Sequence, residues 1–202
     1  MKKFKALEEY EKEYGDIPRD KEKILNYLID NTDLKRQKKN VLDEITRISN
    51  IKWKTFHFTI FMLPKATPRP RYTSKGHMFY VKGASDNKKI FYEAMKNSDF
   101  PIITTPMEFC CTSYLPIPKS MNKVDKILAE LGFIRPISKP DFDNLAKTYA
   151  DMIQGIVMID DALIVEGTSK KYYSCKPRIE IIIKYMDGYD CDYNKKKIER
   201  QV

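Results

Sequence analysis

Four aspartates stand in two close pairs in the second half of the chain. Asp141 and Asp143 are two residues apart and come directly before a helical run, whereas Asp160 and Asp161 follow the next apolar segment. Carboxylates repel one another, so gathering them in a basic chain requires a compensating charge. A hard cation such as Mg²⁺ takes oxygen ligands and supplies that charge. The spacing therefore predicts a site for a divalent metal ion.

Each of these acidic residues also has a structural interpretation. Asp143 is a good N-cap for a helix predicted over Asn144–Gln154. Lys147 lies four residues after Asp143 and four before Asp151, a spacing typical of ion pairs on one helix face. The Asp160-Asp161 pair is compatible with a plain turn. Each structural role is plausible alone, but a basic domain would need all of them to be true at once. A shared acidic site is therefore the preferred interpretation.

The positive charge of the chain is concentrated after residue 50. The 202 residues carry a formal charge of +9, of which residues 1–50 contribute +1 and the remaining 152 residues +8. An excess of this size favours a polyanionic partner such as DNA. No apolar run approaches the roughly 20 residues of a membrane-spanning helix, and no signal peptide is expected at the N-terminus.

A proline- and arginine-rich segment carries much of this charge. Residues 64–96 hold eight Lys or Arg against two acidic residues, with aromatic side chains between them. Prolines stiffen the loop, and Arg or Lys beside aromatic residues suits phosphate binding and base stacking. The alternative is a basic surface hairpin leading into a helix over 85–98. The predicted DNA-binding residues are Arg69, Arg71, Lys75, Lys82, Lys88 and Lys89.

Periodicity predicts the elements that would position these residues. Helices are expected over 2–14 and 19–49, the second broken near Asp33 as an N-cap, and over 121–131 with Ser120 as N-cap. Strands are expected over 53–63, 107–115, 163–173 and 178–185, the last two antiparallel and joined around Ser174–Pro177. The predicted organisation is an N-terminal helical extension (1–50), a main domain (51–186) and a flexible tail (187–202).

The cysteines and His57 offer no competing site. Four cysteines in an unsecreted chain indicate reduced thiols, and adjacent Cys110 and Cys111 would point to opposite faces of a strand, a poor geometry for zinc. His57 has hydroxyl neighbours on its strand face and no implied partner. A phosphohydrolase of small molecules is disfavoured, because the seven glycines form no phosphate-cradling loop.

The order of the acidic features resembles the RusA family of Holliday junction resolvases, many of them phage-encoded. The family pattern is K-P-D-x-D-N-L-x-K, a helix, then a hydrophobic segment that closes in D-D before a strand. Here it stands as Lys139–Lys147 and Gly155–Asp161, with the strand Lys176–Ile183 and the loop Pro64–Arg71 also fitting. The resemblance covers residues 53–185 and leaves 1–50 without an assigned role.

The resemblance implies a role for each motif position. Asp141, Asp143 and Asp161 would be catalytic carboxylates that bind metal, Asp160 a further metal ligand and Lys147 the essential lysine. Asn144 belongs to the motif without a fixed role. The implied fold is α/β (α+β), a compact mixed β-sheet flanked by helices and working as a homodimer. The implied cofactor is Mg²⁺, with Mn²⁺ as a possible substitute.

Two functions from different classes follow. The first is a Mg²⁺-dependent, structure-selective endodeoxyribonuclease that resolves four-way DNA junctions, in the cytoplasm of a bacterial host cell if a phage or prophage encodes it. The second is a non-catalytic DNA-binding or recombination accessory protein that uses only the basic face. Mg²⁺-dependent cutting of a synthetic junction distinguishes them.

Overall fold

A computed structural model describes residues 21–31, 37–67, 71–72, 78–79, 84–95 and 102–190, together with Lys12. The chain divides into two compact units, Met1–Ile51 and Lys52–Val202. In the described part of the chain, no helix combines the length and apolar character needed to cross a membrane. Residues 191–202 of the predicted tail, which include Lys195–Lys197, lie outside the described residues. Most of the predicted helix over 2–14 also lies outside them.

The first unit contributes two described helices, α1 (Lys21–Asn31) and α2 (Lys38–Ser49). They correspond to the predicted broken helix over 19–49, but the expected cap Asp33 lies outside the described residues. The residue before α2 is Gln37, whose side chain makes no capping hydrogen bond. No residue of α2 is fully buried, so its apolar stripe is only partly covered.

The second unit is built on a four-stranded mixed sheet, which confirms the predicted fold class. The spatial order is β1-β6-β4-β5; β4 and β5 run parallel, and the other neighbours are antiparallel. A separate two-stranded ribbon, β2–β3, follows β1. The strands are β1 (Trp53–Ile60), β2 (Arg71–Tyr72), β3 (Met78–Phe79), β4 (Met107–Pro116), β5 (Ile164–Ser174) and β6 (Arg178–Met186).

The last two strands run in opposite directions, as predicted, but they are not neighbours, because β4 lies between them. The different burial of β5 and β6 explains why β6 lies inside the sheet and β5 at its edge. Ile179, Ile181 and Ile183 of β6 are completely buried, which suits a strand inside the sheet. In β5 the run 165–168 is exposed, which suits an edge.

One face of the sheet holds the core. Helix α3 (Ala84–Met95) and helix α5 (Phe142–Ile153) supply Phe91, Met95, Leu145, Tyr149 and Ile153 to the core that the sheet shares. Phe91 and Tyr149 stack with ring centroids 5.8 Å apart. Burial raises the pKa of the Cys111 thiol to about 12, so this cysteine is an uncharged core residue.

The opposite face is more open. His57 is exposed there and pairs in register with Ile182, which is 37% exposed. Near one end, Arg178 lies 3.6 Å from the ring centroid of Tyr114, and Tyr114 stacks on Tyr172 at 5.7 Å. The Arg135 guanidinium lies over the other ring, 4.4 Å from the Tyr172 ring centroid. These contacts are cation–π and aromatic pairs at the end of the sheet.

The last residue of helix α4 (Lys123–Glu130) is hydrogen-bonded to the same end of the sheet. The Glu130 carboxylate accepts hydrogen bonds from Ser174 Oγ at 3.0 Å and from the Cys175 backbone N–H at 2.5 Å. The Cys175 N–H lowers the pKa of Glu130 most, and the Ser174 hydroxyl adds to the effect. Glu130 is thus an exposed carboxylate with a structural role.

The expected N-cap of α4, Ser120, is wrong by two residues. Asn122 caps the helix, since its Oδ1 accepts from the Asp125 backbone N–H at 2.8 Å. The Asn side chain reaches this donor from the position at which the backbone is still extended. Gly132 follows the helix with a φ of +80°, a conformation that favours glycine at a helix end.

Candidate active site

The first acidic pair lies at the start of α5, with a different division of roles from the one predicted. Asp141 is the N-cap residue, and Asp143 lies in the first turn. The expectation that Asp143 caps the helix is therefore wrong, because the backbone turns helical at Phe142, two residues earlier than in the predicted helix. The Asp141 side chain makes no capping hydrogen bond and is exposed. Its carboxylate is available for other contacts.

Strand β5 fixes the backbone that leads into this helix. Ser169 Oγ donates to the Phe142 carbonyl at 2.9 Å. The Lys171 ammonium donates to the carbonyls of Ser138 at 3.0 Å and Pro140 at 2.9 Å. These three bonds hold both sides of Asp141, so its position is set by the edge of the sheet. Ser169 and Lys171 were not singled out from the sequence, because only the strand register brings them there.

Lys147 joins the two acidic segments. Its Nζ lies 3.3 Å from Asp151 Oδ1 on the same helix and 3.4 Å from Asp161 Oδ2, which is 14 residues further along the chain. The structure thus brings Asp161 to the exposed side of α5. Asp143 lies one turn before Lys147 on the same helix, a spacing that places the two side chains on one face.

The two carboxylates keep Lys147 charged. Hydrogen bonding and attraction to Asp151 raise the pKa of Lys147 most, and Asp161 raises it further. A raised pKa means that these ion pairs contribute fully below the ordinary lysine value of 10.5 and are lost only as the pH rises through the higher folded value. At neutral pH this position therefore carries a full positive charge. The side chain is 68% exposed, so the pairs themselves add little stability.

The second acidic pair has two separate roles. Asp160 caps the 3₁₀ helix Asp161–Leu163, with its Oδ1 accepting from the Ala162 backbone N–H at 2.8 Å. The turn interpretation therefore describes Asp160, whose other predicted role as a metal ligand stays a prediction. Asp161 turns toward Lys147 instead. One member of the pair shapes the turn, and the other joins the site.

The donor chemistry of Asp141, Asp143 and Asp161 fits a hard divalent cation, because all three offer carboxylate oxygens. These carboxylates do not yet converge on one point. Within the part of the chain described, no three acidic, His or Cys side chains lie close enough to share a metal ion. Asp141 is exposed and free of the capping bond, so its side chain can reorient without disturbing the core. Asp141, Asp143 and Asp161 are the residues that would hold Mg²⁺.

The segment after β1 is attached to the buried side of α5. The Lys65 N–H donates to Tyr149 Oη at 3.1 Å, and the Thr67 N–H donates to Thr148 Oγ1 at 2.8 Å. Asn144 Nδ2 lies 3.5 Å from the Thr67 carbonyl. Asn144, which had no assigned role, therefore lies where this segment meets the start of the helix.

The predicted DNA-binding residues fall into two groups. Lys88 and Lys89 are exposed on α3, and Arg71 lies in the short strand β2. Arg69, Lys75 and Lys82 lie outside the described residues. All six remain predictions as DNA contacts. Lys65 and Lys139, which were not in that set, border a cavity beside Asp141.

The match to a known protein family falls within the second unit. The family described as Endodeoxyribonuclease RusA matches residues 62–184, which span all the candidate catalytic positions. The uncharacterized protein YqaN of Bacillus subtilis (strain 168) is 32% identical over 133 residues, covering 63% of this chain and 94% of that protein. The match includes β4, α5, β5 and most of β6, the elements that carry the site. The chain belongs to the RusA endodeoxyribonuclease family, a family of Holliday junction resolvases.

Proposed function

We propose that this protein is a Mg²⁺-dependent endodeoxyribonuclease that resolves four-way DNA junctions by hydrolysing phosphodiester bonds. The observation that carries the proposal is the meeting of Lys147 and Asp161, from two separate chain segments, one turn from Asp143. Family membership supports a nuclease acting on DNA. Junction selectivity and metal dependence are the parts that the proposal adds.

The proposed division of labour assigns each side chain one task. Asp141, Asp143 and Asp161 hold the metal, and Asp160 is a further ligand candidate. Bound Mg²⁺ would activate water and offset charge that develops on the phosphate, with Mn²⁺ as a substitute. Lys147 stabilises negative charge on a phosphate oxygen, because a lysine ammonium is protonated at neutral pH. The first amides of α5 add a favourable field for an anion.

The basic side chains hold the arms of the junction. Such contacts with phosphates position DNA without reading its sequence, so binding should weaken steeply with salt. The proposed contacts are Arg69, Arg71, Lys75, Lys82, Lys88 and Lys89. A homodimer would offer two identical sites for the paired strands of a junction. The proposed place of action is the cytoplasm of a bacterial host cell.

The deciding experiment replaces Asp143 with Asn. We expect Asp143→Asn to bind a labelled synthetic four-way junction like the wild type but to cut it at least about 10³-fold more slowly in Mg²⁺. Asp187→Asn is the matched control, because Asp187 forms an ion pair with Lys54 in the same unit and lies outside the site. Unchanged cutting by Asp143→Asn would remove the proposal.

The second candidate, a DNA-binding accessory protein without catalysis, is favoured by one observation. No three potential ligands are gathered for a metal ion in the described residues. This function predicts junction binding that is indifferent to Mg²⁺ and no cut product at any protein concentration. The wild-type reaction with and without Mg²⁺, scored for binding and for symmetric nicks, decides between the two.

A further inference from the structure

A cavity of about 610 Å³ opens beside Asp141, on the side of α5 that faces the segment after β1. Its volume lies in the range of small-molecule binding sites, so it has room for a phosphate with part of its sugar. Two chain segments line it, 64–66 and 139–141 with Asn144. The charged members are Lys65, Lys139 and Asp141, which give the lining a net charge of +1.

The two lysines differ from Lys147 and Lys171. Lys147 is paired with carboxylates, and the Lys171 ammonium donates to two carbonyls. Lys65 and Lys139 are exposed and form no ion pair within the described residues, although Asp141 borders the same cavity. Two cations therefore border a cavity next to a candidate catalytic residue, and neither of them forms an ion pair with the residues that the structure describes.

The backbone that carries Lys65 is held by the core. Tyr149 Oη accepts from the Lys65 N–H at 3.1 Å, and the next anchor is the bond from the Thr67 N–H to Thr148 Oγ1. Tyr149 and Thr148 are both buried, at 0% and 1% exposure. On the other wall, the Lys171 ammonium holds the carbonyls on both sides of Lys139. Both lysines thus extend from fixed backbone, which reduces the entropy lost when they bind an anion.

We propose that this cavity binds a phosphodiester group of the DNA strand next to the phosphate that is cut, with Lys65 and Lys139 as its two cationic ligands. The inference rests on the proposed nuclease function and adds a subsite to it. Asp141 both borders the cavity and belongs to the proposed metal site, so a phosphate bound in the cavity would lie next to that site. The subsite would fix the position of the strand without reading its bases.

The test measures the salt dependence of junction binding in the Asp143→Asn background, so that cutting does not interfere. Each lysine that contacts a phosphate contributes about 0.7 to 0.9 to the slope of log Kd against log salt concentration. We expect Lys65→Ala and Lys139→Ala each to lower the slope by that amount and the double variant to lower it by the sum. Lys65→Arg should keep the slope, because the charge is retained.

Lys184→Ala is the matched control. Lys184 is also an exposed lysine, but it pairs with Glu108 next to the buried Ile183, on the opposite face of the sheet from α5. Its removal should leave the slope unchanged. Wild-type slopes in both Lys65→Ala and Lys139→Ala would overturn the subsite. Such a result is distinct from failure of the nuclease proposal, which depends on whether Asp143→Asn still cuts.

Discussion

The two sides of α5 differ in what they contribute to the protein. The inner side carries Leu145, Tyr149 and Ile153, each with 0% exposure, and holds the helix against the sheet. The outer side carries Asp143, Lys147 and Asp151, which are all exposed. A single helix thus uses buried apolar contacts to fix its backbone and presents its charged groups on the exposed side. Substitutions on the inner side should change stability, and those on the outer side should change chemistry.

The largest expected effect belongs to the inner side. Leu145→Ala should lower the free energy of unfolding by about 2–5 kcal/mol, because it opens a cavity in the packed core. Phe142→Ala on the same helix, at a side chain that is 64% exposed, should change it by less than about 1 kcal/mol. Urea unfolding of the two variants measures the contrast. Equal losses would contradict the distinction between the two sides.

Lys147→Ala tests the outer side. We expect cutting to slow about 100-fold, since one preorganised charge at the phosphate is lost. Stability should change by less than about 1 kcal/mol, because the ion pairs of Lys147 are exposed. Single-turnover kinetics and urea unfolding of the same preparation separate the two quantities. A variant that unfolds easily but cuts normally would show that Lys147 has a structural role instead.

Thr148→Val is expected to have a smaller effect on the inner side. The substitution keeps the shape of the side chain but leaves the Thr67 N–H without its acceptor, at a cost of about 1–2 kcal/mol. Thr46→Val is the control, because the Thr46 hydroxyl bonds the carbonyl of Leu42 on an exposed helix face. Thermal unfolding should separate the variants, and identical melting temperatures would count against the anchoring role of Thr148.

Glu130→Gln gives the smallest effect and tests whether exposure alone marks a functional carboxylate. The folded pKa of Glu130 is lowered, so its stabilising contribution is present above the ordinary value of 4.5 and is lost as the pH falls through the lower folded value. The stability difference between wild type and Glu130→Gln should be constant from pH 7 to about 5 and shrink in more acidic solution. A difference that stays undiminished as the pH falls well below 4.5 would contradict this account.

The sequence predicted the elements better than it predicted their contacts. Alternating and helical periodicity located β1, β4, β6 and α5 to within a few residues, because burial on one side determines these patterns. The helix starts were less accurate: Asp143 and Ser120 have the right chemistry for caps, but Asp141 and Asn122 occupy the cap positions. Several residues near a helix start can cap it, and the local backbone decides among them.

The neighbours within the sheet and the supports of the site could not be read from the sequence. No local feature of the sequence places β4 between β5 and β6. The strand order depends on which strands have a neighbour along both edges, and this is decided only in the assembled sheet. The approach of Lys65 to Tyr149 spans 84 residues, and that of Ser169 to Phe142 spans 27. These pairs form only when the whole sheet is assembled.

Helix α5 forms hydrogen bonds with the segment after β1 on one side and with β5 on the other. Strands β1 and β5 are the two outer strands of the sheet. Separation of either edge strand would therefore release the acidic residues at the start of the helix. The amide proton of Thr67 should consequently exchange with solvent deuterium only in openings that break its bond to Thr148. Because its links span long stretches of chain, this region should also be among the last to order during refolding.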